Sequence, residues 1–236
     1  MHRGADLGAL LAAAAPPDLS DGDLVVVAHK VVSKSEGRVR RLSEVDPSPR
    51  AIELATPHGK DARVVQVVLD ESAEVVRAER GVIVSRTRHG LVCANAGVDA
   101  SNAGRPDEVV LLPKDPDASA RALRERIGAV RGVRPAVLVS DSFGRAWRLG
   151  QLDVAVGLAG LQPLDDWRGR SDAHGRTLRA TVSAVADAAA AAADLARTKD
   201  SAEPAVLVRG LERYAGVEHG PGAGGLRRPA EDDLFT

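Results

Sequence analysis

Two short stretches set a carboxylate among small oxygen-bearing side chains: Gly97-Val98-Asp99-Ala100-Ser101-Asn102 and Ser140-Asp141-Ser142-Phe143-Gly144-Arg145. Each follows an apolar run, Leu91-Val92-Cys93-Ala94 or Ala136-Val137-Leu138-Val139, so each reads as a strand that ends in an acid. Hard cations such as Mg²⁺ and Mn²⁺ take oxygen ligands and keep part of their water, so two carboxylates and the phosphates of a nucleotide make a workable site. The same residue types also build turns and cap helices, and spacing alone leaves both roles open. Arg145, Arg148 and Gln151 follow Asp141 closely. A guanidinium pair beside a carboxylate either grips phosphate oxygens through paired hydrogen bonds or forms surface ion pairs. His29 and Lys34 stand just beyond the apolar run Leu24-Val25-Val26-Val27-Ala28. His29 reads as a base, a nucleotide contact or a packed polar residue, and Lys34 as a phosphate contact or a solvated cation. Arg88 and His89 carry the same alternatives.

The elements that must position these groups alternate between types. Asp6 caps an amphipathic helix with Leu7, Leu10, Leu11 and Ala14 on one face, and Pro16-Pro17 ends it. Leu24–Ala28 reads as a buried strand. Pro and Gly make up four of the fourteen residues from Asp46 to Gly59, which predicts a loop, and Ala62 to Leu69 a helix with Val64, Val65, Val68 and Leu69 inward. Gly81–Ser85 and Leu91–Ala94 bracket Arg86-Thr87-Arg88-His89-Gly90, a hairpin with a basic tip. Val109–Leu112 is a strand, Asp117 caps a helix through Ile127 with Leu123 inward, and Ala136–Val139 is a strand ending at Ser140-Asp141. Leu152–Leu161 is either a strand or a packed crossover, Thr177–Arg197 an Ala-dominated helix, and Ala205–Val208 a closing strand. Mixed strands and helices with a hairpin point to an α+β or mixed α/β fold, with mixed sheets and packed helices. The domain is expected over residues 1–215, as one unit or as two interlocked subdomains, with a flexible tail from 216 to 236.

Composition narrows the function classes. The 236 residues are 44% hydrophobic and 28% charged, as in a globular protein, and only 2% aromatic, so Val, Leu and Ala must fill the core. Lys and Arg (32) nearly balance Asp and Glu (33), and the formal net charge of -1 gives no global attraction to nucleic acid. The basic run Arg38-Val39-Arg40-Arg41 lacks interleaved aromatics, which weakens any such reading further. A single cysteine, Cys93, excludes an internal disulfide and a multi-cysteine zinc site, in keeping with a reducing cytoplasm. No apolar segment approaches the roughly 20 residues that span a bilayer. The start resembles a secretory signal only superficially, because Asp6 abuts the apolar run. The chain also lacks a Gly-x-x-x-x-Gly-Lys-Ser/Thr loop, a His-Glu-x-x-His pair and a Gly-x-Ser-x-Gly elbow. The glycine-rich stretch Gly220–Gly225 follows no strand and opens no helix, as a dinucleotide fingerprint would require.

Taken in order, several blocks resemble the coenzyme F420-0:L-glutamate ligase family: Asp21-Gly22-Asp23-Leu24, Lys30-Val31-Val32-Ser33-Lys34-Ser35-Glu36-Gly37-Arg38, Gly90-Leu91-Val92 through Asn102, and Leu111–Asp117. Ser140 through Gln151, Ala193-Asp194-Leu195 and Pro204–Gly210 continue the resemblance over nearly the whole chain. The resemblance implies an intertwined homodimer that adds γ-linked L-glutamate to coenzyme F420-0, with GTP as co-substrate, two divalent ions (Mg²⁺ or Mn²⁺) and a potassium ion. Carried over, Asp99 and Asp141 look like metal ligands and Ser142 like a ligand of the second ion. His29, Lys34 and Asn102 look like GTP contacts, and the loop from Arg197 through Thr198, Lys199, Asp200 and Ser201 to Pro204 matches the family's nucleotide-contacting segment. Asp99, Asp141, Arg145 and Arg148 are the expected catalytic set, the two arginines toward the acceptor. Neither nucleic acid nor membrane is an expected partner, and a cytoplasmic location follows. Two departures from the family pattern stand out: the sequence begins close to the Gly-x-Asp-Leu block, so either the start was assigned too late or the family's N-terminal strand with its nucleotide-touching Leu-Pro segment is missing, and Lys199 stands about where archaeal relatives carry a second-metal ligand. A flavin-reductase-like domain follows a motif similar to Asp232-Asp233-Leu234-Phe235 in two-domain relatives, whereas only ligase chemistry is expected here. The rival readings are a related NTP-dependent amide ligase on another acid acceptor and a non-catalytic GTP-binding paralogue.

Overall fold

The computed structural model describes residues 1–233; Leu234 and Phe235 of the C-terminal motif lie outside the described residues. Helix α1 (Leu7–Ala14) is capped by Asp6, whose carboxylate accepts from Ala9 N at 3.0 Å. It buries Leu7, Gly8 and Ala12, while Leu10 is 54% exposed. The apolar face is therefore rotated from the expected one, because Gly8 allows close approach to Arg126 of the neighbouring helix. Strand β1 (Leu24–Ala28) leads directly into α2 (His29–Ser35), so the polar cluster after the strand is helical. β2 (Val39–Arg41) is followed by α3 (Pro49–Ala55).

The presence of α3 corrects the loop expected from Asp46 to Gly59. Ser48 Oγ accepts from Ala51 N at 3.2 Å, and Pro49 occupies the first helical turn, where its missing N–H costs nothing. Next come α4 (Ala62–Glu71), β3 (Ser72–Glu79), β4 (Val82–Thr87), β5 (Val92–Ala94) and β6 (Glu108–Val110). α4 buries Val65, Val67 and Val68, with Val64 and Leu69 packed at the margin. Strands β3, β4 and β5 form an antiparallel sheet that contains the expected hairpin. Helix α5 (Pro116–Arg131) is capped by Asp115, which accepts from Ala118 N at 2.8 Å, and not by Asp117 as expected. Asp117 instead accepts from Leu158 N and Ala223 N, both at 2.8 Å.

The remaining elements are β7 (Ala136–Arg145), β8 (Arg148–Ala159), β9 (Leu164–Asp166), β10 (Val182–Ala184), α6 (Val185–Leu195) and β11 (Ala205–Val208). β7 does not end at Asp141 but runs on to Arg145, because β8 folds back along it and pairs Asp141 with Val154 and Ser142 with Asp153. Asp141 and Ser142 are therefore strand residues and not turn residues. The segment Leu152–Leu161, left open between strand and crossover, is largely strand. α6 begins at Val185, not Thr177, since Val182–Ala184 pair with β9 and helix takes over only where alanines dominate.

The central sheet has the order β11-β1-β7-β8, with β1 parallel to β7 and the other pairs antiparallel. Alternation along its strands divides the core. Val25, Val27, Val137, Val139 and Val156 face α1 and α5, and Leu24, Val26, Leu138 and Leu158 face α6. Each fully buried Leu contributes about 1.5–3 kcal/mol. Gly157 lets β8 approach α5, for a Cβ there would lie 2.3 Å from Pro116 O. A third core joins α3 and α4 to β4 and β6. The architecture is thus mixed α/β, with several sheets and packed helices. Beyond residue 215 the chain continues against the body: Gly160 N donates to His219 O at 2.8 Å, and Arg124 donates to the carbonyls of Gly216 and Val217. Among the described residues no helix is long and apolar enough to cross a membrane.

Candidate active site

The carboxyl end of β1 lies beside the middle of β7, the two strands running parallel with Ala28 opposite Ser140. Open parallel strands leave a crevice at that end, the usual place for ligands in α/β sheets. Here it is a cavity of about 720 Å³, lined by α2, the Asp99–Asn102 turn, the middle of β7 and β8, and the segment after α6. His29, Lys34, Asp99, Asn102, Asp141, Ser142, Arg197, Thr198, Lys199 and Asp200 all line it. Ser201 does not. Its hydroxyl turns back to Thr198 O at 3.0 Å and shapes the loop. Arg145 and Arg148 pair across the end of the β7–β8 hairpin, outside the cavity lining, and Arg145 Nη2 donates to Leu149 O at 2.7 Å.

The first acidic motif is held by its own turn. Asp99 Oδ1 accepts from Ser101 N at 2.6 Å and Oδ2 from Ser101 Oγ at 2.9 Å. Gly97 sets up the approach, with φ of 71° and a notional Cβ only 2.7 Å from Leu112. Asn102 takes φ of 54°, which Asn tolerates better than most residues. Its carbonyl accepts from Lys34 Nζ at 2.5 Å, tying α2 to the turn.

Lys30, which the sequence reading did not single out, reaches Asp99 Oδ2 and Ser101 Oγ, both at 2.7 Å. Burial raises the Asp99 pKa, but the hydrogen bonds from Lys30 and Ser101 outweigh it and hold the carboxyl below its ordinary value. In sequence Lys30 is one polar residue in a polar cluster. Its signal is its place two residues past the end of β1, at the mouth of the crevice.

The second motif joins two faces of the sheet. Asp141 lies on the α5 face, where its Oδ1 stands 3.2 Å from His29 Nε2 and accepts from Ser142 N at 2.8 Å. His29 is 2% exposed, and its Nδ1 is 3.4 Å from Ser33 Oγ. On the other face lies Asp153, also absent from the sequence reading. It is 2% exposed and accepts from Ser140 Oγ at 2.8 Å, Ser142 Oγ at 2.7 Å and Arg197 Nη2. Burial raises its pKa, and the two hydroxyls and the guanidinium more than reverse that, so it is held below the ordinary carboxylate value. A lone Asp in the apolar run Leu152-Asp153-Val154-Ala155-Val156 was the available signal, since a carboxylate in a buried strand needs partners. Arg197 also donates to Pro204 O at 3.2 Å, fixing both ends of the segment that closes the cavity. Lys199 Nζ reaches Ser142 Oγ at 2.8 Å and Asp194 Oδ1 at 3.2 Å.

This arrangement gathers Lys30, Lys34, Arg197 and Lys199 around the cavity and places Asp99 and Asp141 on its wall from different elements. Among the described residues no three His, Cys, Asp or Glu side chains form a ready-made metal cage. Asp99 and Asp141 suit a hard cation that also takes phosphate oxygens and water, which is how Mg²⁺ is usually held. Cys93 is buried, and burial followed by the charge of Asp141 pushes its thiol up to about 12, which removes it as a nucleophile.

Comparison with known proteins gives a consistent picture. The profile of the F420-0:gamma-glutamyl ligase family matches residues 1–210. The chain is similar to the coenzyme F420:L-glutamate ligase of Methanothermobacter thermautotrophicus, 44% identical over 219 residues, covering 92% of this chain and 86% of that protein. Its similarity to the Methanopyrus kandleri protein of the same name is 44% over 234 residues, covering 97% and 91%. For the Haloarcula marismortui protein, again a coenzyme F420:L-glutamate ligase, the identity is 46% over 210 residues, covering 85% and 81%.

Proposed function

This chain belongs to the F420-0:gamma-glutamyl ligase family, and from that premise we propose that it ligates L-glutamate to coenzyme F420-0 through γ-linked amide bonds, using GTP. The observation that carries the reading is the meeting of Asp99, Asp141, Lys34, Asn102 and the Arg197–Asp200 segment in one cavity beside the end of β1 and the middle of β7. We propose a homodimer of intertwined subunits as the working form, and a cytoplasmic enzyme.

A carboxylate is a poor electrophile toward amines, so it must first be activated. An oxygen of the acceptor's carboxylate attacks the γ-phosphorus of GTP, the bond to the β-phosphate oxygen breaks, and an acyl phosphate and GDP result. The neutral amine of glutamate then attacks the acyl carbon. The carbon–oxygen bond to phosphate breaks, phosphate leaves, and the nitrogen gives up a proton to form the amide. Transfer of this kind is accelerated mainly by positioning and charge stabilisation. Lys34 and the Arg197 segment draw in the phosphates, and His29 orients Asp141. Arg145 and Arg148, at the open end of the hairpin, are suited to the acceptor's own anionic groups.

Asp99 and Asp141 would hold a divalent ion, Mg²⁺ or Mn²⁺, which when bound neutralises charge on the transferring phosphoryl group. Ser142 would hold a second such ion, but its hydroxyl already contacts Lys199 Nζ at 2.8 Å, so the second ion must displace that ammonium. A potassium ion completes the set we propose for the nucleotide end. Asp141→Asn should abolish GDP release that depends on both acceptor and glutamate. Undiminished turnover by that variant would remove Asp141 from the metal site.

A further inference from the structure

A second cavity, of about 370 Å³, opens between the β4–β5 connection, the start of α5 and residues 223–227. Lys114, Arg121 and Arg227 line it together with His89. The two carboxylates there are already engaged. Asp115 accepts from Ala118 N at 2.8 Å and has Arg121 at 3.8 Å, while Asp117 Oδ1 accepts from both Leu158 N and Ala223 N at 2.8 Å. Among the described residues no ion pair holds the Lys114 ammonium. Three cations thus face one small space against two carboxylates, which leaves it with an excess of positive charge. Arg227 is also built into place: notional Cβ atoms on Gly90 and Gly224 would lie 3.1 Å and 2.7 Å from its guanidinium nitrogens, and it donates to His89 O.

The position relative to the catalytic residues gives this charge a purpose. Val156 of β8 lines the second cavity, and Val154, two residues earlier on the same strand, is the register partner of Asp141. Asp141, Val154 and Val156 all lie on the α5 face, and two strand residues span roughly 7 Å. β5 makes the same connection, since Leu91 just before it lines the cavity and Cys93 within it feels the charge of Asp141. One elongated anion can therefore reach both places.

We propose that this second cavity is an oxyanion subsite that binds a phosphate or carboxylate of the acid acceptor, remote from the carboxylate that reacts at Asp141. The proposal rests on the acceptor-ligase reading above. It gives a physical basis for acceptor choice separate from nucleotide binding, because guanidinium and ammonium groups in a partly enclosed space favour oxyanions strongly.

The test uses Lys114→Gln together with Arg121→Gln, which leaves the seated Arg227 untouched. Binding of F420-0 to the full-length protein is followed by the fluorescence of the deazaflavin, and binding of inorganic phosphate by calorimetry. The double variant should bind the acceptor roughly tenfold more weakly, the effect of losing charge-assisted contacts. Its KM for GTP and for glutamate and its thermal midpoint should stay as in the wild type. Unchanged acceptor affinity in the variant would overturn the assignment. So would a variant that loses only inorganic phosphate binding, since the cavity would then belong to free phosphate. A wild-type protein that binds GTP but no acceptor would instead overturn the ligase reading itself, a result distinct from any difference between variant and wild type.

Discussion

Replacing Asp153 by Asn isolates the charge at the centre of the buried network without changing its shape. In the native protein Asp153 is 3% and Arg197 9% exposed at the side chain, and Ser140 and Ser142 both donate to the carboxylate. Asn presents one acceptor oxygen and two N–H donors, so at least one hydroxyl loses its acceptor and Arg197 keeps a buried charge with no counterion. Breaking one side of a buried pair costs about 3–5 kcal/mol. That is a large part of the roughly 5–15 kcal/mol that holds a domain together. Urea titration of Asp153→Asn, Arg197→Met and the double variant measures the coupling directly. The double variant should recover much of the loss, because apolar replacement of both partners leaves no stranded charge. Strictly additive effects, or an Asn variant as stable as wild type, would refute the reasoning that the pair is buried and mutually dependent. Ser142 should also lose its fixed orientation, so catalysis in Asp153→Asn should fall more than stability at low temperature explains.

Other expectations follow from individual contacts. Lys30 competes for Asp99 Oδ2, so Lys30→Gln should bind Mn²⁺ several-fold more tightly when titrated calorimetrically; weaker binding would make Lys30 a supporter of the metal site and not its competitor. Cys93, with its thiol pushed up to about 12, should resist iodoacetamide at about pH 8 in the folded protein and react fully in urea; rapid labelling of the native chain contradicts its burial. Burial holds Asp187 above the ordinary carboxylate value, the bond from Ala155 N pulling the other way. A raised folded-state pKa costs stability as pH climbs from the unfolded value through the folded one, so Asp187→Asn should be more stable than wild type at about pH 7, with the gap closing in acid. A variant less stable at neutral pH would show that the charged form is the one the fold favours.

The legible parts of the fold were those with strong local signals. The five-residue apolar run of β1, the hairpin of β4 and β5, and the alanine stretch of α6 each announce their type over several residues. α3 was misread because Pro and Gly were counted as loop formers, although Ser48-Pro49 is a cap followed by a first-turn proline. Asp141 was expected after a strand and lies within one, since only the pairing with β8 extends β7 past it. In the site, several of the residues singled out line the cavity, but Ser201, Arg145 and Arg148 do not, and Lys30 and Asp153 went unnoted. Their roles depend on partners far away in sequence: Lys30 on Asp99 and Ser101, and Asp153 on Arg197, brought together by the crossover from β8 through α6. No local window contains those pairs.

Mass measurement of F420-0 after incubation with the wild-type protein, GTP, Mn²⁺ and glutamate tests glutamate ligation most directly. We expect the acceptor to gain whole glutamyl units, with one GDP and one phosphate released per unit. An acceptor of unchanged mass, with GTP either intact or hydrolysed without regard to glutamate, would contradict it.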